Sequence, residues 1–222
     1  MQIPFSQAVQ LLHQTRHAVL GTHSTQLPGY PYGTAVPLVV DGQHRPLLLI
    51  SALAEHTRNL LADNRASLAV VEDGRDNVQD AARITLLGRC ERFEPSPELV
   101  ERYLRYQPAA EQYLQLDFMF FRLLVERARY IGGVGRMGWL ETADWQSAEA
   151  LTPAEEKCLL EEGAALVPAQ AQLLGIDAFG IDLEHGGRRL RRQFAQPGGY
   201  AAIKQMLPDL LAAFATEASA GA

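Results

Sequence analysis

The polar side chains best placed for chemistry follow a short apolar run, Leu47–Ile50. They are two hydroxyls, an imidazole, a guanidinium and an amide, at Ser51, His56, Thr57, Arg58 and Asn59. Leucines recur at helical spacing through this stretch, so the cluster is predicted to lie where a strand ends and a short helix begins. The free N–H groups and the dipole of a helix start attract phosphate, and hydroxyls and cations add side-chain donors. The pattern predicts an anion site; the alternative is a helix whose polar residues only face water.

The elements around this stretch are mostly strands that follow one another directly. Apolar or alternating runs predict strands at 18–22, 34–40, 46–51, 66–72, 82–93 and 118–131. This order fits an antiparallel barrel and does not fit alternating βαβ units. Gly88, inside the long run at 82–93, predicts a bulge or bend of the kind that closes small barrels.

Helices are predicted at the start of the chain and in one insertion between strands. The first covers Ile3–Arg16, where apolar residues keep helical spacing. The second covers Pro95–Gln107, with Ser96 as its N-cap and a proline in the first turn. Pro108 ends that helix, and Ala109–Leu116 is predicted to be a further short helical piece.

The composition changes after Trp145, and residues 150–222 are predicted to form a small α/β domain. It begins with an acidic helix at Pro153–Gly163, capped by Thr152, and a linker with Pro168 follows. The tetrad Glu184–Gly187 between two alternating runs predicts a β-hairpin. The last element is a helix with an apolar face that includes Phe214, and Pro208 predicts a kink or two consecutive helices there.

The stretch from Ser51 to Asn64, together with the strand before it, resembles the phosphate-binding segment of the pyridoxamine-5′-phosphate oxidase-like flavoproteins. The segment LISALAEHTRNLLADNRASL is similar in sequence to one branch of that family, the haem-utilisation proteins. The resemblance implies an α+β protein: an antiparallel split β-barrel of the FMN-binding type at 1–145, followed by the small α/β domain. Ser51 takes the place of the oxidase threonine, and Glu55-His56-Thr57 stand where Ser-Arg-Lys would be.

The same resemblance implies further cofactor-binding residues and a homodimer. The strand at 34–38 matches the one whose backbone runs along the flavin ring, and Arg83 falls on a ring-contacting glutamine, near Thr85 on the same strand. The implied cofactor residues are Thr34, Ala35, Val36, Ser51, His56, Thr57, Arg58, Asn59, Arg83 and Thr85. In the family the FMN lies at the dimer interface, so both subunits would contribute to each site.

Haem is the alternative cofactor, and the histidines are its candidate ligands. His185, in the predicted hairpin turn, could ligate haem iron as a neutral imidazole; a plain turn residue is the alternative. His44 is predicted to be exposed in a turn. The family's C-terminal domain usually carries a His-Met-Asn-x-Asp-His run, which the acidic helix lacks, so no metal site is predicted. The arginines at 188, 189, 191 and 192 could meet propionates, or could protect a strand edge.

Composition excludes several classes of function. The 222 residues carry a net charge of −6, so the chain lacks the excess of basic residues that would indicate a nucleic-acid partner. No apolar run approaches the roughly 20 residues that span a bilayer. The first ten residues do not resemble a secretory signal, and the two cysteines show no pairing pattern. A cytoplasmic protein with free thiols is expected.

Three functions remain open from the sequence. The first is an FMN-binding oxidoreductase whose substrate the sequence does not name. The second is a haem-binding or haem-degrading protein on the same fold. The third is a non-catalytic flavin carrier or sensor, because split barrels serve several kinds of chemistry.

Overall fold

The computed structural model describes residues 3–133, 135–167 and 170–220, with side chains given up to residue 212. The predicted turn residue Val134, the linker residue Pro168 and the side chain of Phe214 lie outside this description. The chain divides into two compact units, Met1–Ala148 and Glu149–Ala222. No helix in the described ranges is long and apolar enough to cross a membrane.

The first unit contains eight strands and four α-helices within its described residues. The strands are β1 His17–His23, β2 Pro31–Pro37, β3 Val39–Val40, β4 Pro46–Ser51, β5 Arg65–Val71, β6 Arg83–Arg92, β7 Phe118–Ile131 and β8 Met137–Glu141. The helices are α1 Phe5–Gln14, α2 Glu55–Ala62, α3 Pro97–Tyr106 and α4 Thr142–Gln146, with a 3₁₀ helix at Pro108–Gln115. The predicted cap is confirmed at α3, where the Ser96 hydroxyl accepts a hydrogen bond from the Leu99 N–H.

All the strands of this unit pair antiparallel in one curled sheet. Its order is β2-β1-β5-β6-β7-β4-β3, and β8 pairs with the second half of β7. The predicted α+β class and split-barrel architecture are therefore confirmed. A register shift between Leu87 and Gly88 breaks the β6–β7 ladder, which confirms the predicted bulge. A Cβ at Gly88 would overlap the backbone carbonyl of Leu124, so only glycine fits there.

The concave face of this sheet holds the core. Alternate residues of β1, β5, β6 and β7 point inward and pack against α1, as the period of two in their burial shows. β4 is buried on both faces, because α3 covers its other side through Tyr103, whose hydroxyl accepts from the Leu49 N–H. The opposite, convex face of β2, β1, β5, β6, β7 and β8 is largely exposed; we call it the outer face.

The second unit is a three-stranded antiparallel sheet with two helices. Its strands are β9 Ala171–Asp177, β10 Gly180–His185 and β11 Arg188–Gln193, in the order β11-β10-β9. Its helices are α5 Pro153–Ala164 and α6 Tyr200–Ala220. The predicted hairpin turn is confirmed, with Gly186 and Gly187 both at positive φ. Thr152 caps α5 in a capping box with Glu155, as predicted.

Three predictions about elements are wrong or incomplete. Pro208 does not divide the last helix in two, because α6 runs continuously through it. β8 and β9 were not predicted as strands. His44 is buried rather than exposed: its backbone turns at φ 60°, and its ring contacts His13, with Nδ1 3.3 Å from the His13 Nε2.

Candidate functional site

The start of α2 is a helix N-terminus without a side-chain cap. Ala54 occupies the N-cap position, where Ser, Thr, Asp or Asn would normally accept a hydrogen bond from the first turn. The first-turn N–H groups of the helix are thus left for water or for a bound anion. Glu55 lies in this turn and is half-buried, and its carboxylate opposes an anion there.

Two of the predicted phosphate ligands instead form buried hydrogen bonds within the protein, next to the start of α2. Thr57 is fully buried, and its hydroxyl donates to the backbone carbonyl of Ser51 at 2.6 Å. Asn59 is also fully buried; its Oδ1 accepts from the N–H and hydroxyl of Thr25, both at 2.9 Å, and its Nδ2 donates to the Thr22 hydroxyl at 3.0 Å. Both side chains tie α2 to neighbouring segments, so neither presents a donor at the helix start.

Three predicted residues remain available near the α2 N-terminus. The Ser51 hydroxyl accepts from the Leu53 N–H at 3.2 Å, which leaves its own hydrogen to donate. Arg58 is exposed, and His56 is half-buried. Burial lowers the pKa of His56 from its ordinary value, because the charged imidazole loses hydration. An anion bound here would lie near one cation, Arg58, and near a histidine that is mainly neutral at neutral pH.

Arg83 and Thr85 lie far from Ser51 along the sheet. Ser51 pairs with Phe118 at the beginning of β7, whereas Thr85 pairs with Arg129 towards its end. Arg129 stands eleven residues beyond Phe118 on that strand, roughly 36 Å of extended chain. One protomer therefore does not bring Arg83 and Thr85 to the predicted phosphate segment, whereas β2, the strand predicted to run along the ring, contacts both β4 and α2.

The Arg83 guanidinium also forms its hydrogen bonds with the loop that precedes β6. Its Nη1 lies 2.9 Å from the Val78 carbonyl oxygen and also approaches the carbonyls of Gln79 and Ala81. It supports the connection from β5 to β6. This role accounts for a half-buried arginine at the first position of β6 without a cofactor.

The three candidates on β2 divide between the two faces of the sheet. Val36 is buried in the core, and Thr34 is half-buried on the same inner face. Ala35 is exposed on the outer face, on a row of cross-strand partners that runs through Val19 and Ala69 to Thr85. Two strands, β1 and β5, lie between Ala35 and Thr85, so three inter-strand steps separate the two residues by roughly 14 Å. Of the predicted ring-binding residues, Ala35 and Thr85 share one surface.

Small or apolar residues line the part of the outer face that lies on β2, β1 and β5, and we call this part the floor. Beside the Ala35 row runs a second row of outer-face partners across β2, β1 and β5, made of Gly33, Gly21 and Ser67. A Cβ at Gly21 would overlap the Ser67 hydroxyl, so a side chain there would force Ser67 to move. Val19 is 51% exposed on this floor. The half of the outer face formed by β2, β1 and β5 is therefore shallow and largely apolar.

The other half, on β7 and β8, carries an exposed tryptophan between two arginines. Trp139 is 44% exposed, and the guanidinium carbons of Arg127 and Arg129 lie 4.1 Å and 5.3 Å from its ring centroid. Both distances are within the range of cation–π attraction. Arg127 also forms an ion pair with Glu141, with 2.9 Å between its Nε and the carboxylate oxygen.

Sequence reasoning missed most of this surface, although a signal was present. β1 reads HAVLGTH, and its alternation places His17, Val19 and His23 on the outer face and Ala18 and Leu20 in the core. The run MGWLE has the same alternation, but it is only five residues long. Val19 and Trp139 are both exposed on this face, as the alternation of their strands predicts.

The second unit offers less to a cofactor than its arginines suggested. His185 is half-buried at the end of β10, next to the hairpin turn. Arg191 is fully buried, and its Nη1 lies 2.8 Å from Asp177 Oδ2 and 2.9 Å from Asp182 Oδ1. Arg192 donates to the Leu210 carbonyl. The arginine cluster is thus divided between internal pairing and the surface.

The fold and these surfaces define the first unit as a split β-barrel protein. Residues 5–147 match the family described as CREG, β-barrel. The chain belongs to this family, and the resemblance to split-barrel proteins with a haem-utilisation branch is confirmed.

Several relatives of the chain are known by name. A chloroplast haem oxygenase of Arabidopsis thaliana, HOZ, is 32% identical over 133 residues, which are 59% of this chain and 41% of the relative. The chain thus spans less than half the length of that curated relative. A haem-binding protein from Mycobacterium smegmatis has 27% identity and a TM-score of 0.60, over 98% of this chain and 99% of its own. Protein Atu2129 of Agrobacterium tumefaciens, of unknown function, has 26% identity and a TM-score of 0.74, over 93% and 96%.

Proposed function

We propose that this chain is a haem-binding protein and that haem lies on the outer face of its barrel unit. The observation that carries the proposal is the make-up of that face, where a shallow apolar floor meets arginines and histidines. A porphyrin is a flat apolar ring with anionic propionates along one edge and a metal that binds imidazole. The residues present match each part: the ring would cover the floor around Val19, and the arginines would meet the propionates.

Two histidines on β1 are the axial-ligand candidates in this proposal. His17 and His23 are exposed and flank the floor at the two ends of β1. A neutral imidazole is the usual protein ligand of haem iron. Bound haem would supply a redox-active iron, while the chain would position the ring and limit the access of water to it. Relatives described as a haem oxygenase and as a haem-binding protein support this assignment.

Assembly into a homodimer belongs to the same proposal. Val19, Leu87 and Trp139 leave much of their apolar surface on the outer face in one protomer. A second copy would cover what the cofactor does not, and the cofactor would lie at the subunit interface. Sedimentation velocity should therefore give a dimer at micromolar concentration, and a monomer with bound haem would remove the shared-site form of the proposal.

The experiment for haem binding is a titration followed in the Soret region. The wild-type protein should saturate with haem and shift the band, and His17→Ala or His23→Ala should change the band position where that histidine ligates the iron. His185→Ala is the comparison, because His185 is in the other unit. A haem spectrum that is unchanged by both β1 variants and altered by His185→Ala would move the ligand to the hairpin. A wild-type titration that never saturates would refute haem binding.

FMN binding, with an oxidoreductase or carrier role, is the second candidate. The observation in its favour is the uncapped start of α2, where Ser51, His56 and Arg58 surround free N–H groups. Thr57 and Asn59 would act there by fixing the helix. Arg58→Gln should then weaken FMN and spare riboflavin, measured by quenching of flavin fluorescence. Arg75→Gln, in the β5–β6 loop, is the matched control. Equal affinities of the wild type for FMN and riboflavin would show that α2 binds no phosphate.

A further inference from the structure

Three residues form one continuous row across the exposed half of the outer face. Thr85 on β6 pairs with Arg129 on β7, and Arg129 pairs with Trp139 on β8. Directly opposed residues of antiparallel strands hold their Cβ atoms about 5 Å apart on the same face. The Thr85 hydroxyl, the Arg129 guanidinium and the Trp139 indole are therefore neighbours on one surface.

Arg129 differs from the arginine beside it in having no counter-charge. Arg127 is paired with Glu141. Arg129 is half-buried, and among the described residues no carboxylate forms an ion pair with it. Its contact in the structure is the Trp139 ring, which offers a quadrupole rather than a charge. A partly desolvated cation without a partner is costly, and an anion at this position would remove that cost.

The surroundings of Arg129 indicate what kind of anion fits. On one side Thr85 is exposed and adds a hydroxyl donor. Beyond Thr85 the same row continues through Ala69, Val19 and Ala35, which are small or apolar. A ligand whose anionic group reaches Arg129 would therefore lay its remaining surface on an apolar floor. A free inorganic anion would leave that floor uncovered.

We propose that Arg129, with the Thr85 hydroxyl and the Trp139 ring, binds a carboxylate carried at the edge of a flat apolar ligand. This rests on the proposed haem function and deepens it, because it assigns the residue that recognises a propionate. The same donors could hold a phosphate, as in a flavin mononucleotide, so the test must separate the two sources. Arg129 is a binding residue for the acidic edge of the ligand and plays no part in ligating the iron.

The test compares Arg129→Gln with wild type, using haem and its dimethyl ester as probes. Glutamine keeps hydrogen-bonding capacity and removes the charge. The loss of one charge-assisted contact should weaken haem roughly ten- to a hundredfold and leave the ester nearly unchanged, because the ester carries no carboxylate. Arg75→Gln is the control: Arg75 is an exposed arginine paired with Glu72 in the β5–β6 loop. It should change neither affinity.

The outcomes separate this inference from the function on which it rests. Wild-type protein that fails to saturate with haem refutes the proposed function. Wild-type binding with no loss in Arg129→Gln, or an equal loss for haem and its ester, overturns only the role of Arg129. A loss for FMN over riboflavin in Arg129→Gln, with haem unaffected, would show that the anion is a phosphate. A change of sedimentation coefficient alone would assign Arg129 to the subunit contact.

Discussion

Asn59 on α2 and Thr25 in the β1–β2 loop are joined by two hydrogen bonds, both 2.9 Å long, across 34 residues of chain. The Asn59 amide nitrogen reaches Thr22 at the same time. One buried side chain thus fixes the helix that carries the candidate anion site to the strand that carries the outer-face histidines.

Asn59→Ala should destabilise the barrel unit by about 1–3 kcal/mol, because it removes a fully buried amide that makes three hydrogen bonds to Thr22 and Thr25. Urea unfolding followed by circular dichroism measures the change. Asn64→Ala is the control, since the Asn64 side chain forms only long, exposed hydrogen bonds. Equal effects of the two substitutions would show that the buried links add nothing to stability.

The bulge at Gly88 gives a second prediction about stability. In Gly88→Ala the added Cβ would overlap the Leu124 carbonyl, so backbone must move, at a cost of about 1–3 kcal/mol. Gly33→Ala is the matched control, because its Cβ would lie 3.8 Å from the Val19 side chain in ordinary contact. The midpoint of thermal unfolding should fall for Gly88→Ala and stay close to wild type for Gly33→Ala. A normal midpoint for both would mean that the ladder tolerates a side chain at the bulge.

Arg191 provides a prediction for the second unit. Burial alone would lower the pKa of Arg191, but the charges of Asp177 and Asp182 and their hydrogen bonds raise it above its ordinary value. Arg191→Met removes the guanidinium that both buried carboxylates share and should destabilise this unit by about 3–5 kcal/mol. Hydrogen exchange of β9 and β10 is the measurement, with exposed Arg188→Met as control. Unchanged protection in Arg191→Met would contradict a structural role for the pair.

His56 predicts a dependence of stability on pH. Its pKa in the folded protein lies below the ordinary 6.5, because burial disfavours the charged ring. The unfolded chain therefore takes up the proton first, and the free energy of unfolding falls as the pH drops from 6.5 to the folded pKa. Comparing wild type with His56→Asn by urea unfolding at pH 5 and pH 7.5 isolates this contribution. A wild type that gains stability over the variant at pH 5 would contradict the lowered pKa.

The sequence was sufficient for the main elements because their patterns are local. β4 and β7 have the predicted bounds, since each is an apolar run that ends at polar or turn residues. β8 was missed because five residues of alternation are too few to distinguish from a loop. Pro208 was expected to kink or divide the last helix; it does not divide it, and the buried Leu207 and Leu211 lie on either side of the proline in one helix.

The site was harder to predict, because the role of each side chain depends on contacts with residues that are distant in the sequence. The hydroxyl of Thr57 and the amide of Asn59 looked like ligands until their buried partners were known. His44 lies in a polar turn, but contact with α1 buries it. Arg129 gave no signal of its own, because only strand register shows that it adjoins Thr85 and Trp139.

The measurement that tests the central claim most directly is the position of iron in crystals of the haem-loaded protein, located by its anomalous scattering. We predict a peak on the outer face, above the floor around Val19, with a propionate reaching Arg129. A peak beside His56 at the start of α2, or beside His185 in the hairpin, would contradict the assignment of haem to the outer face.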